Sequence, residues 1–129
     1  MEDEHTEHKR STSELCEGME SVASTLNKPD HGTLYFGVRP SDGEVTGQDV
    51  SEKTLRDVSQ AFTNRIEPRV YPTIDRLVTE DGKAFIRASF SGDERPYACD
   101  GRYRIRSADE DLPMSAAVLE QMPAFSKAR

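Results

Sequence analysis

The feature that most constrains the fold is a short apolar run, 33–38, in a sequence that is otherwise polar. The large side chains of this run belong to Leu34, Tyr35, Phe36 and Val38. Aromatic and β-branched residues in a segment this short favour a strand over a helix. Gly37 lies inside the run, where a glycine usually marks a bulge or a close approach of backbone. We therefore predict a buried strand here, at the centre of a sheet.

Two amphipathic helices are predicted, one before and one after this strand. Ser11 and Glu14 have the spacing of a capping box, which predicts the start of the first helix. The apolar stripe of that helix consists of Leu15, Met19, Val22 and Leu26. Ser51 is the predicted N-cap of the second helix, and Pro68 ends it. The stripe of the second helix consists of Leu55, Val58, Phe62 and Ile66.

The rest of the chain predicts short strands joined by turns. Asp-Gly pairs, which are strong turn signals, occur at 42–43, 81–82 and 100–101. The predicted strands cover residues 45–47, 70–79, 84–90, 97–99 and 102–106. A last short helix is predicted from Pro113, with Val118 and Met122 facing inward. This order predicts an α+β fold in which a mixed β-sheet packs with two main helices, plus the short C-terminal helix.

A chain of 129 residues is long enough for one domain with one core. We assign residues 1–10 to a charged N-terminal segment that could form an edge strand, residues 11–122 to a single domain, and residues 123–129 to a tail or the start of a linker. No apolar run reaches about 18 residues, and the acidic start lacks an apolar core, so we expect no membrane span and no secretory signal. Cys16 and Cys99 predict free thiols in a cytoplasmic protein.

Arginines alternate along the last predicted strand, at Arg102, Arg104 and Arg106. Because alternate residues of a strand share a face, their guanidinium groups would form a stripe, with Tyr103 and Ile105 in the core. Such forks match phosphate oxygens, which favours contact with a nucleic-acid backbone. The alternative is an outer sheet face whose arginines pair with nearby carboxylates. The formal net charge of −7 counts against a nonspecific DNA binder unless positive charge gathers on one face.

Carboxylates near the N-terminus and in the first turn could gather a divalent metal, namely Glu2, Glu4, Glu7 and Asp42. The competing interpretation is a solvated acidic tail and an ordinary turn residue. His5, His8 and His31 do not have a metal-ligand spacing, and the glycine-rich phosphate loop of nucleotide-binding proteins is absent from the sequence. We therefore expect no metal site and no cofactor in this segment, with Mg or Mn relevant only if the chain is a nuclease.

The sequence resembles the Schlafen AlbA-type (AlbA_2) domain from about Glu2 to Met122. The segments that carry the resemblance are Glu7-His8-Lys9, His31-Gly32 with the strand 33–38, the 42–47 segment Asp-Gly-Glu-Val-Thr-Gly, Ile66-Glu67-Pro68, Pro96-Tyr97, Gly101 and the strand from Tyr103 to Arg106. Each segment is short, and their order and spacing together carry the resemblance.

This resemblance implies an α+β fold similar to the Alba chromatin proteins. It also implies a DNA-binding domain of a bacterial transcriptional regulator, in which an ATPase-like segment and a winged helix would follow. With the arginine stripe, it assigns phosphate binding to Arg102, Arg104 and Arg106, assisted by Lys9 and Arg10. We expect DNA rather than RNA as the partner, and the domain could also form a homodimer.

Two alternative functions remain open. Animal Schlafen relatives use three carboxylates of this domain in metal-dependent RNA cleavage, and the resemblance places Glu2 and Glu7 at two of those positions. Asp42 is the nearest acid after the glycine-valine strand, because Arg39 follows Val38. The chain would then be an endoribonuclease that needs Mg or Mn, although we expect a protein that is not an enzyme. The third interpretation, from the net charge of −7, is an acidic dimerisation or signalling module.

Overall fold

The computed structural model describes residues 2–28 and 30–121, so Met122 and the predicted tail 123–129 lie outside the described residues. The helices are α1 (Leu15–Leu26), α2 (Glu52–Arg65) and α3 (Ala116–Glu120), and a 3₁₀ turn precedes α1. The strands are β1 (Thr6–Lys9), β2 (His31–Phe36), β3 (Ile66–Glu67), β4 (Thr73–Val78), β5 (Ala84–Ser91), β6 (Ala98–Cys99), β7 (Arg102–Ser107) and β8 (Glu110–Pro113). These elements confirm the predicted α+β fold with two main helices.

The first sheet is mixed and has the strand order β1-β2-β5-β4. β2 is an inner strand, parallel to β1 and antiparallel to β5, as expected for the apolar run. Leu34 and Phe36 are fully buried on one face of β2. The strand ends where Gly37 adopts a positive φ of 93°, a conformation that glycine tolerates better than any other residue.

The second sheet is antiparallel and has the strand order β3-β6-β7-β8. The sequence predicted the β6–β7 hairpin but not β8, and it placed the start of the last helix at Pro113. That placement was wrong, because Pro113 pairs with Arg104 at the end of β8 and α3 begins at Ala116. A proline is tolerated there because β8 is an edge strand and the missing N–H leaves no ladder bond unmade. Val118, predicted to face inward, is 39% exposed.

The core lies where α1 packs against both sheets. Met19, Val22 and Leu26 of α1 are fully buried, as their spacing predicted. Gly18 lets the helix approach β2 closely, since a Cβ atom at this position would lie 3.1 Å from both Leu34 Cδ2 and Phe36 Cζ. The helix therefore contacts β2 on one side and β7 on the other, and it decides which faces of the two sheets are covered.

Within residues 2–28 and 30–121, the face of the first sheet that points away from α1 is only partly covered. Along β5, Ile86 and Ala88 point into the core, whereas the alternating Phe85 and Arg87 are only half-buried. Tyr35 lies on the same outer face of β2. No helix among the described residues is long and apolar enough to cross a membrane.

Candidate functional site

The three arginines of β7 do share one face, but most of that face is covered by the rest of the protein. It packs against α1, and exposure falls along the strand. Arg102 is exposed, and Arg104 is half-buried with its guanidinium 3.4 Å from the Glu20 carboxylate. Arg106 is fully buried. The three guanidinium groups therefore do not form the exposed stripe that the alternation predicted, because only Arg102 is exposed.

Arg106 is the centre of a buried ionic network. Its Nη1 atom lies 3.2 Å from Glu7 Oε2 and 2.8 Å from Asp111 Oδ1, and its Nη2 atom donates to the carbonyl oxygen of Asp3 at 3.0 Å. Burial alone would lower the pKa of Arg106, but the hydrogen bonds and charges of Asp111 and Glu7 outweigh it and raise that pKa. The guanidinium therefore stays charged and joins the N-terminal segment to the β7–β8 hairpin.

Two serines of α1 complete this network from the other side. Ser21 Oγ lies 2.7 Å from a carboxylate oxygen of Glu7 and 2.7 Å from one of Asp111, so it can donate to one while contacting both. Ser24 Oγ donates to Asp111 at 2.5 Å. Both serines are buried and lie three residues apart, about one helical turn. This spacing is the only sequence feature that could have placed them on the same face of the helix. No sequence pattern marked Asp111.

The carboxyl groups of Glu2 and Glu7 lie beside the network, and each affects the pKa of the other. Burial, reinforced by the hydrogen bond to Glu7, raises the pKa of Glu2 to about 7. Burial also acts to raise the pKa of Glu7, but its hydrogen bonds with Glu2 and Ser21 and the charge of Arg106 bring that pKa below its usual value. The pKa values of this pair therefore move apart, with that of Glu2 raised and that of Glu7 lowered.

Glu2 should therefore titrate near neutral pH. We expect the carboxyl carbon of Glu2 to show a midpoint of about 7 in an NMR titration. Because the folded state holds this proton more tightly than an unfolded chain with a pKa of 4.5, the contribution of Glu2 to stability is fully present below pH 4.5 and is lost as pH rises to about 7. Glu2→Gln should remove this loss, whereas Glu4→Gln should retain it. A Glu2 midpoint at the unfolded value would contradict the raised pKa of Glu2.

Asp42 does not lie with Glu2 and Glu7, so the structure does not bring together the three carboxylates predicted for the nuclease alternative. Arg39 Nε and Nη2 donate to the two oxygens of Asp42 at 2.9 and 2.6 Å, and this hydrogen bonding lowers the pKa of Asp42 to about 2. Glu7 points toward α1, whereas the loop that carries Asp42 covers the opposite face of β1 at His8. Within residues 2–28 and 30–121, no three His, Cys, Asp or Glu side chains lie close enough to hold a metal ion.

The two remaining residues predicted to bind phosphate, Lys9 and Arg10, differ in their exposure to solvent. Lys9 faces inward on β1, where its side chain is only 16% exposed and its Nζ atom lies 3.7 Å from Glu7 Oε2. Arg10 is exposed just after the strand, and its backbone N–H donates to Glu14. Of the five residues predicted to bind phosphate, Arg10 and Arg102 therefore present exposed guanidinium groups, and neither forms an ion pair in the part of the chain that the structure describes.

Comparison with known proteins gives a family match and a similar fold. A family model described as Schlafen, AlbA_2 matches residues 2–115. The fold is similar to the crystal structure of the DIP2311 protein from Corynebacterium diphtheriae, with a TM-score of 0.71 and 17% sequence identity. That match covers 92% of this chain and 27% of the other chain, so the similarity concerns one part of a longer protein. A search of curated proteins found no match.

Proposed function

Because the chain belongs to the Schlafen AlbA_2 family, we propose that it is the DNA-binding domain of a bacterial transcriptional regulator that acts in the cytoplasm. The family match over residues 2–115 is the observation that carries this proposal, since it supports a role connected with nucleic acids. We add two statements to this general role: that the nucleic acid is DNA, and that the domain takes part in transcriptional regulation.

The charge distribution suggests where a phosphate backbone would bind. Affinity for DNA comes largely from phosphate neutralisation, so an acidic domain needs local groups of exposed cations. Arg102 is exposed at the β6–β7 turn. Arg65 reaches the same turn from the last turn of α2, with its Nη1 atom 3.0 Å from Asp100 Oδ2. A phosphate could bind Arg102 directly and could compete with Asp100 for Arg65.

Charge reversal at Arg102 tests this proposal. We expect Arg102→Glu to weaken binding to a fluorescent DNA duplex and to reduce the slope of log affinity against log salt concentration by about 1, because one phosphate contact is lost. Fluorescence anisotropy titrations at several salt concentrations would measure both quantities. The domain fold should be unchanged because the Arg102 side chain is exposed.

Lys53→Glu is the matched control. It produces the same change in net charge at a side chain that is 79% exposed. Lys53 and Arg65 lie near opposite ends of α2, about 18 Å apart along an axis that rises about 1.5 Å per residue. We expect this variant to retain the wild-type salt slope. Equal weakening by the two reversals would attribute the effect to overall charge, and no duplex binding at low salt would reject the proposal. A duplex RNA of the same sequence measures the preference for DNA.

A further inference from the structure

The outer face of the first sheet carries a pocket that the proposed duplex contact does not use. Its volume is about 320 Å³, within the range of small-molecule sites. Its floor is formed by His8 of β1, Tyr35 of β2 and Phe85 of β5, and the loop segment 38–45 covers one side. The pocket lies on the opposite side of the sheet from Glu7 and α1, so it is separate from the Arg106 network.

Aromatic rings form most of the floor of this pocket. His8 and Tyr35 are register partners on neighbouring strands, with ring centroids 5.5 Å apart in an edge-to-face arrangement. The ring centroids of Tyr35 and Phe85 lie 6.4 Å apart, and the two ring planes are tilted by 32°. Tyr35 and Phe85 are only half-buried, so parts of their rings remain accessible to a ligand. An open sheet face with accessible aromatic rings is a surface on which bases can stack.

His8 supplies a polar atom without a partner. The residue is 5% exposed, and its Nδ1 atom is buried with no hydrogen-bond partner among the described residues. Burial lowers the pKa of His8, so the imidazole is neutral at pH 7 and has one nitrogen that accepts and one that donates. A half-turn of the imidazole ring exchanges the positions of Nδ1 and a ring carbon. A ligand that offers both a donor and an acceptor could therefore bond a ring nitrogen of His8 in either ring orientation.

The charges around the pocket restrict the ligand further. None of the residues that line it carries a charged side chain, so an ion inside would lose its hydration without gaining a partner. Arg87 is the register partner of Tyr35 on β5, directly beside the pocket. Its side chain is 41% exposed, and its Nη2 atom lies 3.1 Å from Asp75 Oδ2. The site therefore suits a flat, uncharged heterocycle attached to an anionic group.

We propose that this pocket binds an unpaired nucleobase of a single-stranded nucleic acid, with the base against Tyr35 and Phe85, a hydrogen bond to His8 and a neighbouring phosphate at Arg87. This inference rests on the proposed nucleic-acid role and adds to it a preference for unstacked bases. The duplex contact at Arg102 concerns phosphates alone, so the two sites can be tested separately.

An abasic backbone separates base binding from phosphate binding. In anisotropy titrations at low salt, a short single-stranded oligothymidylate should bind at least about fivefold tighter than an abasic strand of equal length, because each stacked base contributes about 1–3 kcal/mol. Phe85→Leu keeps an apolar side chain but removes the ring, and it should reduce oligothymidylate binding toward the abasic level. Binding of the abasic strand should stay unchanged.

Tyr71→Leu is the matched control, because it removes an aromatic ring that is 80% exposed and lies outside the pocket. It should leave the preference for bases intact. Circular dichroism and thermal melting report whether each variant is folded, and equal wild-type affinity for base-bearing and abasic strands would overturn the pocket even if Phe85→Leu does not fold.

Each outcome distinguishes the pocket from the duplex site. Equal affinity of the wild type for the base-bearing and abasic strands overturns the pocket, even when the duplex binds through Arg102. Base-dependent binding that Phe85→Leu removes supports the pocket, even if the duplex does not bind and the proposed duplex function fails. Absence of binding to every oligonucleotide at low salt overturns both proposals.

Discussion

Arg106→Met is expected to lower the free energy of unfolding by about 3–5 kcal/mol, because it leaves the buried Glu7 and the partly buried Asp111 carboxylates without their cationic partner. The guanidinium is fully buried and contacts both Glu7 and Asp111. Methionine is also long and unbranched, so it fills much of the same space without the charge. A domain of this kind has a total stability of about 5–15 kcal/mol, so the loss should be obvious in urea unfolding followed by circular dichroism.

Two further variants separate charge from packing. Arg102→Met changes an exposed arginine on the same face of the same strand, and it should alter stability by about 0.5 kcal/mol or less. Adding Asp111→Asn to Arg106→Met should recover part of the loss, because one of the unpaired carboxylates is then neutral. If Arg106→Met and Arg102→Met were equally stable, the buried network would not be what joins the N-terminal segment to β7.

The deficit of Arg106→Met should also depend on pH. The pKa of Glu7 in the folded protein is below its unfolded value of 4.5, so its carboxylate stabilises the fold above that pH and this contribution is lost as pH falls. Arg106 is one cause of the lowered pKa. The difference in stability between wild type and Arg106→Met should therefore be largest at neutral pH and should shrink in acid. A deficit independent of pH would indicate a pure packing effect.

Asn27→Asp is expected to have a similarly large effect, with the shape of the side chain unchanged. Asn27 is 1% exposed at the end of α1. Its Nδ2 group donates to the carbonyl oxygens of Tyr97 and Arg104 at 2.8 and 2.7 Å, and its Oδ1 atom accepts from the Tyr97 N–H at 2.6 Å. An aspartate would face two carbonyl oxygens without a donor, which should cost about 3–5 kcal/mol.

The effect of Asn27→Asp should grow with pH. A protonated aspartic acid can donate one hydrogen bond, whereas the carboxylate can donate none and carries a buried charge. Urea unfolding at acid and neutral pH would therefore show a smaller deficit in acid. Asn64→Asp, an exposed change near the end of α2, is the control and should stay within about 0.5 kcal/mol of the wild type. If the two variants behaved alike, Asn27 would not be the link between α1 and the second sheet.

Local periodicity was sufficient for the main elements of the fold. The spacing of Met19, Val22 and Leu26 predicted the buried face of α1, and the apolar run predicted β2 as an inner strand. These predictions succeed because a residue every three or four positions on a helix, or every second position on a strand, must share a face whatever lies opposite. The division of the strands into two sheets and the short strand β8 had no comparable local signal.

The candidate site was predictable only in part, because local spacing decides which residues share a face but not what packs against that face. Alternation correctly placed Arg102, Arg104 and Arg106 on one face, but it could not show that α1 would cover that face. Likewise, the spacing of Glu2 and Glu7 was visible in the sequence, whereas the acid that joins Glu7 in space is Asp111 and not Asp42. The outer pocket was equally hidden, because its three rings come from three different strands.

The chain's own order of residues specified its helices, its inner strand and the face on which each side chain lies, since these depend on neighbours only a few positions away. Tertiary packing decided which of those faces met water. Glu7 and Arg106 are 99 positions apart, and the guanidinium can remain charged and buried only because distant carboxylates and serine hydroxyls converge on it. The cost of desolvating a charge is offset by partners in three dimensions, which no short-range pattern records.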